Sequence, residues 1–166
     1  MSIKMISAYN NPEEVGQLFS EYTRMLIKEV PAFKDYLDMQ NYAEEIKHLE
    51  EKYGKPRGRL YLAYHNDDLA GCIGLRKIDE QRCEMKRLYV RPEFRAKNIG
   101  KLLVEQIIRD AQEIGYIKML LDTFPFLESA LRMYKSYGFK EIACYNDNPI
   151  ADSVYLELEL KGTESF

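Results

Sequence analysis

The stretch Glu84-Met-Lys-Arg-Leu-Tyr-Val-Arg-Pro-Glu-Phe-Arg-Ala-Lys-Asn-Ile-Gly-Lys101 decides the fold of this chain. Its first seven residues form an alternating run that ends at Val90, before Arg91-Pro92. A short loop passes Pro92 and Arg95. Then Ile99, Leu102, Leu103, Ile107, Ile108, Ala111 and Ile114 recur at helical spacing, and Gly115 is placed to end the strongest helix of the chain. A strand that runs through a loop into a helix turns the free N–H groups of the first helical turn, and the positive end of the helix dipole, toward that loop. Such a joint is a ready anion site. Gly100 allows a ligand to approach the backbone, Arg95, Lys97 and Lys101 add positive charge, and a pyrophosphate suits the site well. The spacing matches neither a P-loop, which needs Gly-Lys-Ser/Thr, nor the Gly-x-Gly-x-x-Gly dinucleotide fingerprint.

Upstream, residues 3–8 predict a short strand, and Pro12 opens a helix carrying Val15, Leu18, Phe19, Tyr22, Leu26 and Ile27, with Asn10 or Asn11 as its cap. A second helix is expected from Phe33 to Tyr53, with Tyr36, Leu37, Met39, Ile46 and Leu49 on its apolar side. Arg59–His65, Leu69–Ile78 and Glu84–Val90 are three consecutive strand candidates, the first two joined at Asn66-Asp67-Asp68, and they suggest an antiparallel meander. Downstream, Tyr116–Asp122 predicts a strand. A helix capped by Asp122 or Thr123 then runs to Tyr137, and Phe139–Cys144 and Val154–Leu160 are the last strands. The expected order is β-α-α-β-β-β-α-β-α-β-β. This is an α/β mixed sheet with antiparallel central strands and helices on both faces, in one domain spanning 1–166.

Composition bounds the function. The 166 residues carry 24 Lys plus Arg against 27 Asp plus Glu, a net charge of -3, which argues against a general nucleic-acid binder because phosphate backbones want a basic field. There is no signal-peptide pattern at Met1–Ile6 and no apolar run of membrane-spanning length, so no membrane partner is expected. Cys72, Cys83 and Cys144 are odd in number and lack metal-type spacing, which fits a reducing cytoplasm; they are expected to be buried small apolar residues. With only His48 and His65, no metal site is expected. The 13 tyrosines are the unusual feature.

Two segments carry a family resemblance. Arg95-Ala96-Lys97-Asn98-Ile99-Gly100 is similar to the Gln/Arg-x-x-Gly-x-Gly/Ala pyrophosphate motif of the GNAT N-acetyltransferases. Ala130-Leu131-Arg132-Met133-Tyr134-Lys135-Ser136-Tyr137-Gly138-Phe139 resembles that family's Ala-x-x-Leu/Met-Tyr-x-x-x-Gly-Phe segment. Arg87–Pro92 is similar to its strand into the loop, and the order of elements matches. Asn98 departs from the usual Gly, and Ala96 replaces a frequent one. Asn accepts left-handed backbone better than other non-Gly residues, so the loop is expected to survive.

The resemblance implies transfer of an acetyl group from acetyl-CoA, as co-substrate, to a primary amine of a small molecule. The backbone of Arg95, Ala96, Lys97, Asn98, Ile99, Gly100 and Lys101 would hold the pyrophosphate. Leu88 and Val90 would border the pantetheine arm, with the Leu88 N–H as an oxyanion donor. Tyr134 is implied as the acid that protonates the leaving thiolate. A general base is useful because an alkylammonium has a pKa near ~10.4. Glu84 is the candidate, expected on the same strand face as Lys86 and Leu88. Asp122 and a water chain are its rivals. Tyr36, Tyr42, Tyr145, Asn146 and Asn148 are candidates for the acceptor wall. A homodimer is compatible with this reading. The alternatives are a protein or peptide N-acetyltransferase and a non-catalytic acyl-CoA sensor. A nucleotide-binding module of another α/β fold would need a helix after every strand, which residues 59–90 contradict.

Overall fold

A computed structural model of the chain describes residues 2–160. Strand β1 (Ile3–Ser7) leads into four helices, α1 (Pro12–Glu29), α2 (Phe33–Met39), α3 (Tyr42–Lys47) and α4 (Leu49–Tyr53). The meander β2 (Arg59–His65), β3 (Asp68–Lys77) and β4 (Arg82–Val90) follows, then α5 (Ile99–Ile114), β5 (Lys118–Thr123), α6 (Glu128–Ser136), β6 (Lys140–Ile142) and β7 (Val154–Glu159). The strands form one seven-stranded sheet in the order β1-β2-β3-β4-β5-β7-β6. Its pairs are antiparallel except β4–β5, the parallel pair joined across α5.

Both faces of the sheet are covered because its strands carry apolar residues on both. On one side Leu103, Val104, Ile107 and Ile108 of α5 and Tyr134 of α6 pack on Ile73, Leu75, Cys83, Met85, Met119 and Leu121. On the other, Val15, Leu18 and Phe19 of α1 and Leu49 and Tyr53 of α4 cover Leu60, Leu62, Cys72 and Tyr89. A third cluster joins Leu26, Phe33, Tyr36 and Leu37 to Phe124.

The expected second helix is broken into α2, α3 and α4. Asn41 adopts a left-handed conformation (φ 59°) and His48 a non-helical one (φ -133°, ψ 58°), neither of which a continuous helix can contain. The breaks turn Glu45 inward and leave Met39 exposed, off the apolar side where periodicity placed it. Helix α6 begins at Glu128 rather than behind an Asp122 or Thr123 cap, because both residues still belong to β5 and Phe124–Leu127 makes a turn. Asn11 precedes α1 without a side-chain cap bond. The strand expected over Phe139–Cys144 is only Lys140–Ile142, and Cys144 is exposed, whereas Cys72 and Cys83 are buried.

The feature that positions the site is a bulge in β4. Cys72 faces Tyr89 and Gly74 faces Lys86, so Arg87 and Leu88 together oppose Ile73. Arg87 takes φ 60°, a costly conformation for a long side chain. It is held by Glu45, whose carboxylate receives Arg87 Nε and Nη2, each at 2.9 Å. Tyr53 Oη donates to the same carboxylate at 2.7 Å and Lys52 Nζ at 2.6 Å. Tyr53 reaches it by lying on Gly74, where a Cβ would stand 2.7 Å from the ring. The bulge also reverses the side-chain alternation. Leu88 packs with Met85 on the α5 side, so the expectation that Glu84, Lys86 and Leu88 share one face is corrected. Finally, the bulge parts the central strands. Only Arg82–Glu84 pair with Lys118–Leu120, and beyond them β4 and β5 splay around a cleft.

Candidate active site

The cleft between β4 and β5 has a volume of 660 Å³ and runs from the β4–α5 loop toward α2 and the loop before β7. At one end, Ala96 (φ 65°) and Asn98 (φ 65°) are both left-handed, at the two positions where glycine would cost nothing. This winding frees the backbone. The first backbone bond into α5 is Leu102 N–H to Asn98 O at 3.0 Å. The N–H groups of Ala96 through Lys101 thus take no backbone acceptor among the described residues. Two left-handed residues before a helix start form a concave nest of N–H groups. A Cβ on Gly100 would meet only Val90 Cγ2, at 3.6 Å, so the fold itself does not demand glycine there. Arg95, Ala96, Asn98, Ile99, Gly100 and Lys101 border the cleft and Lys97 does not. Arg95 Nε donates to Val90 O at 3.0 Å, tying the loop to the end of β4.

Midway, Met85, Leu88, Val90, Leu121 and Thr123 line the walls, and Tyr134 enters from α6. Its ring packs on Phe139 and is buried. Its hydroxyl has no hydrogen-bond partner among the described residues, backbone included, and burial raises its pKa well above that of an ordinary phenol. It is therefore protonated at neutral pH and has a proton to donate.

The far end collects polar groups from four separate elements. Asp122 is the penultimate residue of β5, and its Oδ2 accepts from Tyr36 Oη at 3.1 Å, Asn146 Nδ2 at 3.0 Å and Asn148 Nδ2 at 3.3 Å. Its Oδ1 takes no hydrogen bond among the described residues, and Asp122 lines the cleft. Glu84 lies behind this wall. Its Oε1 receives Arg76 Nε at 2.6 Å and its Oε2 receives Tyr145 Oη at 2.5 Å, with Lys86 Nζ 3.9 Å from Oε1. Burial pushes the Glu84 carboxyl up, but Lys86, Arg76 and the bond from Tyr145 outweigh it and hold the group below its usual range. Tyr36, Tyr145, Asn146 and Asn148 thus converge on the two carboxylates. Tyr42 does not join them; its ring lies 5.2 Å from the Arg87 guanidinium, away from the cleft wall.

Lys86, Gln40 and the Glu45–Arg87 pair match no motif in the sequence. The available signal was the adjacent Lys86-Arg87 inside a strand otherwise flanked by Met85 and Leu88. Two cations in a run that should be buried demand partners. Among the described residues no group of three His, Cys, Asp or Glu side chains is arranged to hold a metal, and no helix is long and apolar enough to cross a membrane.

Comparison with known proteins agrees with this geometry. The model of the acetyltransferase (GNAT) family matches residues 19–139. An uncharacterized N-acetyltransferase of Schizosaccharomyces pombe is 39% identical over 93% of this chain and 94% of its own length. An acetyltransferase from Streptococcus agalactiae superposes with a TM-score of 0.74 at 23% identity, over 95% of this chain and 98% of that one. A GNAT acetyltransferase from Elizabethkingia anophelis, solved with acetyl-CoA bound, superposes with a TM-score of 0.54 at 27% identity over 63% of this chain and 77% of that one. The chain belongs to the GNAT acetyltransferase family and is an N-acetyltransferase.

Proposed function

We propose that the protein transfers an acetyl group from acetyl-CoA directly to a primary amine of a small molecule bound at the Asp122 end of the cleft. The observation that carries this reading is the set of unbonded backbone N–H groups at Ala96 and from Asn98 to Lys101, on residues that border the same cleft as the free hydroxyl of Tyr134. That nest suits a pyrophosphate, and the acetyl-CoA complex of the Elizabethkingia relative supports the choice of ligand. Acetyl-CoA supplies an activated acyl group as a thioester. Tyr134 donates the proton that the leaving sulfur needs, and the splayed edge of β4 near Leu88 offers a backbone donor to the thioester oxygen.

For the proton that the acceptor must lose, Asp122 is better placed than Glu84. One of its oxygens is pinned by three donors while the other is free. Both Glu84 oxygens are occupied by Arg76 and Tyr145, so Glu84 serves to hold Tyr145 in place. Asp122→Asn is expected to lower kcat by about 10²-fold with acetyl-CoA affinity preserved. An unchanged rate would return the task to a water chain. The binding half of the proposal is tested by calorimetric titration of acetyl-CoA into the wild type and into Gly100→Leu. Micromolar binding by the wild type and loss in the variant are expected, and no binding at millimolar acetyl-CoA refutes it.

A further inference from the structure

Beyond the transfer itself, the far end of the cleft holds a cation that the chemistry above does not use. Lys86 sits on β4 two residues past Glu84, and Asp122 sits on β5 two residues past Leu120, the ladder partner of Glu84. The two are register equivalents on strands that have just parted, so they stand on opposite walls of the same chamber, and both line the cleft. Their charges are opposite, yet no ion pair joins them among the described residues.

The surroundings of Lys86 leave its ammonium under-used. Its side chain is only 8% exposed. Its contacts are Gln40 Oε1 at 3.4 Å and Glu84 Oε1 at 3.9 Å, both long for a group with three donors. Glu84 is already neutralised by Arg76 at 2.6 Å, and Arg87 is committed to Glu45 and Gln40. Around the chamber Lys52, Arg76, Lys86 and Arg87 face three carboxylates, Glu45, Glu84 and Asp122. Of those four cations, only Lys86 and Arg87 border the cleft, and Arg87 already has its counter-charge, with Nε and Nη2 on Glu45 and Nη2 also on Gln40. Burial, with Arg87 beside it, pushes the Lys86 ammonium down to about 8, the response of a cation short of counter-charge. A buried cation with spare donors, facing a cavity, is stabilised by an anionic group that enters with the ligand.

We propose that the acceptor is an amine that also carries a carboxylate, an amino acid or close relative, with its carboxylate held by Lys86 Nζ and its amino group by Asp122 Oδ1. This rests on the acetyltransferase reading of the cleft and names the substrate class of that same site. Lys86 then selects between acceptors, while Tyr134 and Asp122 serve any amine that enters. Gln40, between Lys86 and Arg87, steadies the ammonium for the incoming anion.

The test compares matched acceptors by kcat/KM: amino acids against their amides and the corresponding decarboxylated amines, with acetyl-CoA saturating. The wild type is expected to favour the acid by tenfold or more over both partners that lack the carboxylate. In Lys86→Met this ratio should collapse toward one, and in Lys86→Arg, which keeps the cation, most of it should return. Calorimetry with acetyl-CoA, run on each variant, verifies that the cleft is folded. Equal kcat/KM for acid and amide in the wild type overturns the proposal, as does a Lys86→Met variant that binds acetyl-CoA and keeps the wild-type ratio. Failure of every amine, charged or neutral, to accept an acetyl group would instead refute the transferase reading beneath it.

Discussion

Tyr134→Phe is expected to lower kcat by about 10²–10⁴-fold, the usual contribution of a positioned general acid, while acetyl-CoA affinity changes by no more than a few-fold. The substitution removes one oxygen and nothing else. The Tyr134 ring packs on Phe139 and its hydroxyl holds no partner among the described residues, so no buried group there is orphaned and the melting temperature should stay close to that of the wild type. That separation makes the result diagnostic. A tyrosine that merely packed α6 onto the sheet would leave turnover intact on conversion to Phe. The effect should also depend on the leaving group. A thioester with a more acidic thiol needs less help from an acid, so the deficit should shrink with such a donor. The measurement is steady-state turnover for both enzymes with acetyl-CoA and with an activated acetyl thioester.

The second large effect is on stability. Glu45→Gln should cost about 3–5 kcal/mol, because it leaves Arg87 buried without its counter-charge. For a chain of this size that lowers the melting temperature by roughly 10 °C. Arg87 and Glu45 side chains are 3% and 2% exposed, and Tyr53 and Lys52 share the carboxylate, so little water can compensate. Burial pushes the Glu45 carboxyl up, but Arg87 and Lys52 prevail and hold it far below its usual range. Its folded pKa thus lies below the unfolded value near ~4.3. The stabilisation is present above that value and is lost as pH falls toward the folded one. Thermal melts across pH should show a gap between wild type and Glu45→Gln that is full at neutral pH and narrows below about pH 4. Because the pair holds the β4 bulge, the variant should also lose turnover even at temperatures where it remains folded.

The parts of this protein that were legible in its sequence are those set by local rules. The stripe from Ile99 to Ile114 with Gly115 behind it, the turn at Asn66-Asp67 and the motif from Arg95 to Gly100 each specify their geometry within a few residues. The left-handed Ala96 and Asn98 take the conformations that the glycines of the motif would. What stayed hidden depends on contacts distant in sequence. Nothing near Arg87 announces a bulge, since its positive φ is held by Glu45, 42 residues away. Once the bulge exists, alternation fails beyond it, which is why Leu88 lies on the face opposite to the one that alternation predicts. The broken helix between Phe33 and Tyr53 has the same cause: local propensity favours continuity, but Glu45 must turn inward to meet Arg87. The proposed acceptor wall is half legible in the sequence. Tyr36, Tyr145, Asn146 and Asn148 were chosen for chemistry and lie around Glu84 and Asp122, whereas Tyr42 packs beneath Arg87. Nothing in the sequence singles out Lys86, because a single strand lysine is ordinarily solvated and only the parting of β4 from β5 makes it face a cavity.

Direct transfer within this cleft is tested most plainly by incubating the purified protein with acetyl-CoA and a panel of primary amines, following free thiol release and identifying the products by mass spectrometry. Thiol release is expected to require an amine, to match the acetylated amine formed mole for mole, and to vanish almost entirely in Tyr134→Phe. Thiol release that is independent of any amine, or acetylated amine formed equally well by Tyr134→Phe, would contradict it.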